Sequence, residues 1–282
     1  MGDWGLRESY RLKYWPKIAE WIVRQSTGRA RSKLAGHAPV GILVDNTVLY
    51  HAVTHETGWV STGERHWGPH PIDTGYAARI PVHAPDDPSR EYRNVQYLPG
   101  IAYLSRIGAL TLYTSAELQD EQFRQPSGRY RGYGYSDLGI FGGLTIDSVD
   151  GWVFPHLGPK YLNLPTPREQ QRRRLENYMD DGTYAALVQR LGKKNSQDAW
   201  HIYTAEKHGL FCFLTMDFRL IETVAAQART DPVKSFTTRV ITPEGFGKEF
   251  ELRRIPPRIL SLTTPAFLFD PTSRCRWASG GP

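Results

Sequence analysis

Three aspartates stand where apolar runs end or begin. Asp45 closes Val40-Gly41-Ile42-Leu43-Val44, Asp217 follows Leu210-Phe211-Cys212-Phe213-Leu214-Thr215-Met216, and Asp198 opens the helical stretch that feeds the second run. A carboxylate at the carboxyl end of a strand puts charge at the sheet edge where open α/β sheets bind ligands. Two unit charges about 4 Å apart repel by roughly 4 kcal/mol at an effective dielectric of about 20, so several ionised carboxylates in one pocket call for a cation among them. Carboxylate oxygens suit Mg²⁺ or Mn²⁺, and Mg²⁺ readily accepts phosphate oxygens. One ion can activate water while another stabilises the departing oxygen of a phosphodiester, so the expected chemistry is metal-dependent hydrolysis. Plain helix capping competes with this at each position: Asp45 for a helix from 46, Asp217 for one from 218, and Asp198 in a capping box with Asn195.

The elements that must position these groups follow from periodicity. An amphipathic helix is expected over 8–26, its proper start near Pro16, followed by a basic linker over 27–33. A strand over 41–44 leads into a helix from Asn46. Residues 57–93, rich in Pro, Gly, His and Asp, show neither helical nor strand period and read as a long irregular insertion. Order returns with a helix over 99–107, a strand over 109–113, and a short acidic helix over 116–124 capped by Thr114 or Ser115. A second insertion spans 125–165. Helices over 168–178 and 183–191 are separated by Asp180-Asp181-Gly182; another covers 198–208 and stops at Gly209, before a strand over 210–216. A helix over 218–228 and a strand over 237–241 complete the set, and the tail beyond Pro243, punctuated by Pro256, Pro257, Pro265 and Pro271, reads as an irregular strap. Alternating strands and helices predict a three-layer α/β fold, with a mostly parallel central sheet, helices on both faces and two long insertions.

Two blocks carry a family resemblance. Leu43-Val44-Asp45-Asn46 before a helix resembles the opening of PIN-domain nucleases. The block from Asn195 through Asp198, Gly209 and Thr215-Met216-Asp217 is similar to their second half, and Val240-Ile241-Thr242-Pro243-Glu244 to their terminal strand and turn. The resemblance covers about half the chain and implies an endoribonuclease with Asp45, Asp198 and Asp217 as ligands of Mg²⁺ or Mn²⁺ and Thr215 as the hydroxyl beside the last acid. It also implies a fourth acid on the helix after the second strand. Glu117 and Glu121, one turn apart, are its two candidates, Glu117 ahead of Glu121. RNA is the implied substrate, with DNA not set aside. Small family members are toxins held by an antitoxin, so a protein partner is a further expectation, as is a homodimer. This chain departs from them in its length, its long segment after the first helix, and its tail. On this reading residues 1–39 are an N-terminal helix and linker, 40–246 the PIN-like domain with insertions at about 57–93 and 125–165, and 247–282 a tail.

Other motifs weigh less. His51 and His55 have helical spacing, but Ala52 stands where a zinc protease needs its Glu. Asp45-Asn46-Thr47 is like the start of haloacid-dehalogenase phosphatases, yet Thr47 occupies the place of their second Asp and supplies no general acid. Gly128-Arg129-Tyr130-Arg131-Gly132-Tyr133-Gly134-Tyr135 mixes cations with rings that stack bases, so Arg129, Arg131 and Tyr133 are candidate nucleic-acid contacts, against a Gly-rich hairpin with half-buried tyrosines. Arg172 and Arg173 lie on a basic helix face that can line a phosphate path or simply be solvated. A net charge of +6 favours an anionic partner such as nucleic acid. The two cysteines, Cys212 and Cys275, give no disulfide framework and no metal spacing. With no apolar run long enough to span a bilayer and no signal-like start, the expectation is a soluble cytoplasmic protein without membrane contact.

Overall fold

The structure is a computed structural model that describes residues 4–124, 139–151 and 165–262. Two N-terminal helices, α1 (Trp4–Ser26) and α2 (Gly28–Leu34), precede β1 (Val40–Val44) and α3 (Asn46–His51). A hairpin, β2 (His55–Trp67) and β3 (His70–Pro81), leads to α4 (Arg90–Val95), α5 (Leu98–Arg106), β4 (Leu110–Thr114) and α6 (Ala116–Arg124). Then come β5 (Asp147–Ser148), α7 (Pro167–Asn177), α8 (Gly182–Leu191), α9 (Ser196–Lys207), β6 (Cys212–Leu214), α10 (Phe218–Gln227), β7 (Arg239–Ile241) and α11 (Pro243–Glu249).

The central sheet has five parallel strands in the order β5-β4-β1-β6-β7. Strand alternation explains the layers, because successive side chains point to opposite faces. Ile42 and Val44 of β1 join a core with Val48, Val95, Leu98, Ile101 and Phe246, from α3, α4, α5 and α11. Leu43 joins the other core, with Leu118, Leu175, Tyr184, Leu187, Ile202 and Leu220 from α6 to α10. Helices on both faces of an all-parallel sheet are what the alternating pattern led us to expect.

Strand order also fixes where a ligand fits. From β1 the chain steps outward to β4 and β5, and the later strands β6 and β7 lie on β1's other side. The order therefore reverses between β1 and β6, and the crevice at the carboxyl ends of such a pair is the usual ligand site of open α/β sheets.

Four expectations need correction. Residues 57–93 are not irregular. A two-stranded antiparallel ribbon fills most of the segment, pairing His55 with Pro81 through Trp67 with His70 around Gly68-Pro69. Residues 61–73 are solvent-exposed, so neither face carries the apolar alternation that marks a half-buried strand. The linker over 27–33 is helix α2, anchored by buried Ala30 and Leu34. α1 runs through Pro16 rather than starting there. The tail holds α11, capped by Thr242 with Pro243 in its first turn, and a 3-10 turn at Pro257–Leu262. His51 ends α3 and His55 opens β2, so no helical turn aligns these histidines. No described helix is long and apolar enough to cross a membrane.

Candidate active site

Asp45 follows β1, and its own amide extends the ladder to Leu214 O at 2.9 Å. It stands at the N-cap of α3 without making a side-chain cap bond. Its Oδ2 instead accepts from the hydroxyls of Thr47 and, at 2.6 Å, Thr215. Thr215 also accepts the Asp217 amide at 2.9 Å, and Thr47 accepts that of Met216 at 3.0 Å. Two hydroxyls thus tie the ends of β1 and β6 together at the switch point. Thr47, which a phosphatase would need as an acid, serves here as a donor to Asp45.

Asp217 does cap its helix, as the plain reading allowed: Oδ1 accepts from the amides of Arg219 at 2.9 Å and Leu220 at 3.0 Å. Its Oδ2 takes no hydrogen bond among the described residues. Asp198 sits in the first turn of α9, and Asn195 makes no cap bond there, so the capping box is not formed. Asn195 donates its side-chain amide back to Leu191 O at 2.7 Å.

The helix after the second central strand carries both candidate acids, and they part company. Glu117 is buried and held in two bonds by Arg174, Nε at 2.7 Å and Nη2 at 3.0 Å, while Arg174 also pairs with Asp120 at 3.1 Å. Glu121, the second choice by sequence, accepts from His201 Nε2 at 2.7 Å and from Asn46 Nδ2 at 3.4 Å. Gln171 Nε2 reaches both acids, at 3.1 Å to Glu117 and 3.4 Å to Glu121. The acid that faces Asp45 and Asp198 is therefore Glu121, while Glu117 is neutralised by a cation from α7.

Electrostatics join the group. Burial lifts the Asp45 carboxyl above its ordinary range, against the two hydroxyl bonds and the nearby His201, and the charge of Glu121 adds to the lift. Asp198 is pushed up to about 6 by burial; His201 draws it back, and Asp45, Asp217 and Glu121 each push it further. Burial pulls the His201 imidazole down, but Glu121, with Asp45 and Asp198 behind it, outweighs that and raises it to about 9. Four acids and one imidazole from β1, α6, α9 and the end of β6 thus feel one another across the crevice. His201 Nδ1 is buried without a partner.

Of the residues sequence reasoning named, Asp45, Glu121, Asp198, Thr215 and Asp217 lie around this crevice, whereas Glu117, the first choice for the fourth acid, is paired with Arg174 instead. Sequence reasoning missed His201, Asn46, Thr47 and Gln171. His201 lies three residues after Asp198 on α9 and so on the same helical face, a spacing that was readable. Asn46 Nδ2 donates to Leu118 O at 2.8 Å and fixes α6 against α3, a contact between distant segments that no local pattern carries. Arg172 and Arg173 are exposed on α7. Arg129, Arg131 and Tyr133 lie outside the described residues.

All the acids offer oxygen donors, so the donor chemistry fits Mg²⁺ or Mn²⁺. Among the described residues, no group of three or more His, Cys, Asp or Glu side chains is already arranged to hold a metal ion. A cation would have to draw the carboxylates of Asp45, Asp198 and Asp217 inward, in competition with His201. The chain matches no family model, no curated protein and no solved structure.

Proposed function

We propose that the chain is a PIN-like, divalent-metal-dependent endoribonuclease. The observation that carries this reading is the meeting of Asp45, Thr215 and Asp217 at the β1/β6 switch point with Asp198 and Glu121 from the flanking helices. Asp45, Asp198 and Asp217 would hold Mg²⁺ or Mn²⁺, with Glu121 completing the acidic wall. When bound, the ion supplies the positive charge that activates water and stabilises the departing phosphodiester oxygen. Thr47 and Thr215 hold Asp45 in one rotamer and leave its Oδ1 for a ligand. Asn46 and Gln171 orient Glu121, so that α6 turns Glu121 and its partner His201 toward the crevice while Glu117 and Asp120 stay paired with Arg174. His201 holds a proton against Glu121 and balances part of the negative charge before a cation or phosphate arrives.

The test is cleavage of a mixed RNA pool by the full chain with Mn²⁺. Cleavage is expected with the native protein and a loss of at least about a hundredfold with Asp45→Asn or Asp217→Asn, the scale on which removal of a key stabilising group acts. Undiminished cleavage by both variants rejects the site.

One observation favours a second reading, a catalytically silent PIN-like protein that binds nucleic acid. His201 Nε2 already stands 2.7 Å from Glu121 among the carboxylates, its imidazole raised to about 9 by their charge. RNA binding without Mn²⁺-dependent cleavage supports that reading. A toxin role, with an antitoxin as protein partner, belongs to the nuclease reading and is checked by whether expression of the chain arrests growth.

A further inference from the structure

A groove of about 670 Å³ lies between α7 and the 3-10 turn Lys193–Asn195 that precedes α9. Its floor is apolar, formed by Leu175, Val188 and the exposed Met179. Its rim carries four cations, Arg168, Arg172, Lys193 and Lys194, against two acids. One of those acids, Glu169, is committed to the capping box of Thr166. The other, Glu176, meets Arg172 only at 3.9 Å. Among the described residues Arg168, Lys193 and Lys194 enter no ion pair.

The groove lies beside the acidic crevice, with Gln171 as the wall between them. Gln171 lines it and also donates to Glu121 at 3.4 Å. Ser196 and Gln197 line it and directly precede Asp198. An apolar floor with a cationic rim, next to carboxylates, suits a ligand with a flat apolar face, a chain of anions, and a phosphodiester to present. The volume falls within the range of about 300–1,000 Å³ usual for small-molecule pockets, enough for a nucleotide. A base inside a duplex has both faces stacked already, whereas an unpaired base can lie on such a floor.

We propose that this groove seats an unpaired nucleotide of a single-stranded polynucleotide, base on the Leu175, Val188 and Met179 floor and phosphates along Lys193, Lys194 and Arg168. The groove delivers the neighbouring phosphodiester to the acidic crevice. This deepens the nuclease reading and rests on it for the identity of that crevice.

The experiment measures fluorescence anisotropy of a labelled oligouridylate with the full chain carrying Asp45→Asn, so that no probe is cut. The same strand annealed to its complement and unlabelled polyglutamate serve as competitors. The single strand is expected to bind at least tenfold more tightly than the duplex, and polyglutamate should compete poorly. Arg168→Gln, Lys193→Gln and Lys194→Gln together should weaken binding about tenfold and flatten the log–log salt slope by about two, since each single-strand phosphate contact contributes about 0.7. All three positions are exposed, so folding should survive, and circular dichroism checks it. Arg29→Gln with Lys33→Gln, on α2, should leave binding unchanged. Equal binding of the triple variant with an unchanged slope, a duplex bound as tightly as the single strand, or efficient displacement by polyglutamate would each overturn the groove. Cleavage by the otherwise native chain separates the two claims. Groove-dependent binding without any cleavage removes the nuclease and keeps the groove; normal cleavage with an unchanged KM in the triple variant does the reverse.

Discussion

His201 decides how the crevice behaves without a metal. It stands at about 9 in the fold against an ordinary 6.5, so its stabilising contribution is complete below about 6.5 and is lost as pH rises through about 9. Asp198 acts in the same direction. Its carboxyl stands at about 6 rather than 3.8, so the native state keeps a proton that the unfolded chain has released, and stability falls as pH rises toward 6. Acids held low, such as Asp87 at about 2, act below that window. Urea unfolding without metal, at about pH 5.5, 7 and 9, should show stability falling with pH by a few kcal/mol. A flat or rising profile would show that His201 is neutral and the carboxylates are not sharing one field. Saturating Mn²⁺ should flatten the same profile, because the ion binds the deprotonated carboxylates of the folded state and so stabilises it more as pH rises.

Among the helices, α6 carries the sharpest test. Its Glu117 and Asp120 are 1% and 5% exposed, and Arg174 of α7 is their shared cation. Removing one partner of a buried pair leaves an uncompensated charge, at a cost of about 3–5 kcal/mol. Arg174→Met should therefore lower stability by about that amount in urea; a loss under about 1 kcal/mol would mean that water already compensates these acids. The β2/β3 ribbon predicts the opposite outcome. It forms a sheet of its own and is exposed over 61–73, so replacing residues 56–80 with a short Gly-Ser turn should leave the urea midpoint and thermal midpoint nearly unchanged. A collapse of both would assign the ribbon to the core. These elements also explain what the sequence could disclose. α6 and α9 were legible because Ser115 and Gly209 mark their ends and apolar residues recur on one face. The ribbon was illegible because solvent on both sides removes the need for alternation. β5, only two residues long, owes its existence to pairing with Tyr113 and Thr114 rather than to local preference. The aspartates were readable from the strand ends they follow. Which of Glu117 and Glu121 turns toward Asp45 and Asp198 was not, because the pairings with Arg174 and His201 decide it across three helices.

For the whole molecule, the chain carries a net charge of +6 while the walls of its crevice are acidic; on the proposed reading the first draws in a polyanion and the second calls for a cation between it and the carboxylates. Parallel topology makes that crevice, since the reversal of strand order between β1 and β6 leaves their carboxyl ends without a crossing connection. The five-stranded sheet and both helical layers serve to bring together acids up to 172 positions apart in sequence, from Asp45 to Asp217. That convergence is tested most directly by anomalous diffraction from crystals soaked in Mn²⁺. The expected result is a manganese peak among the carboxylates of Asp45, Asp198 and Asp217, at the roughly 2.0–2.2 Å oxygen distances of a small divalent ion, and absent in Asp45→Asn. A crevice with no peak at saturating Mn²⁺, His201 still bonded to Glu121, would contradict a metal-dependent site.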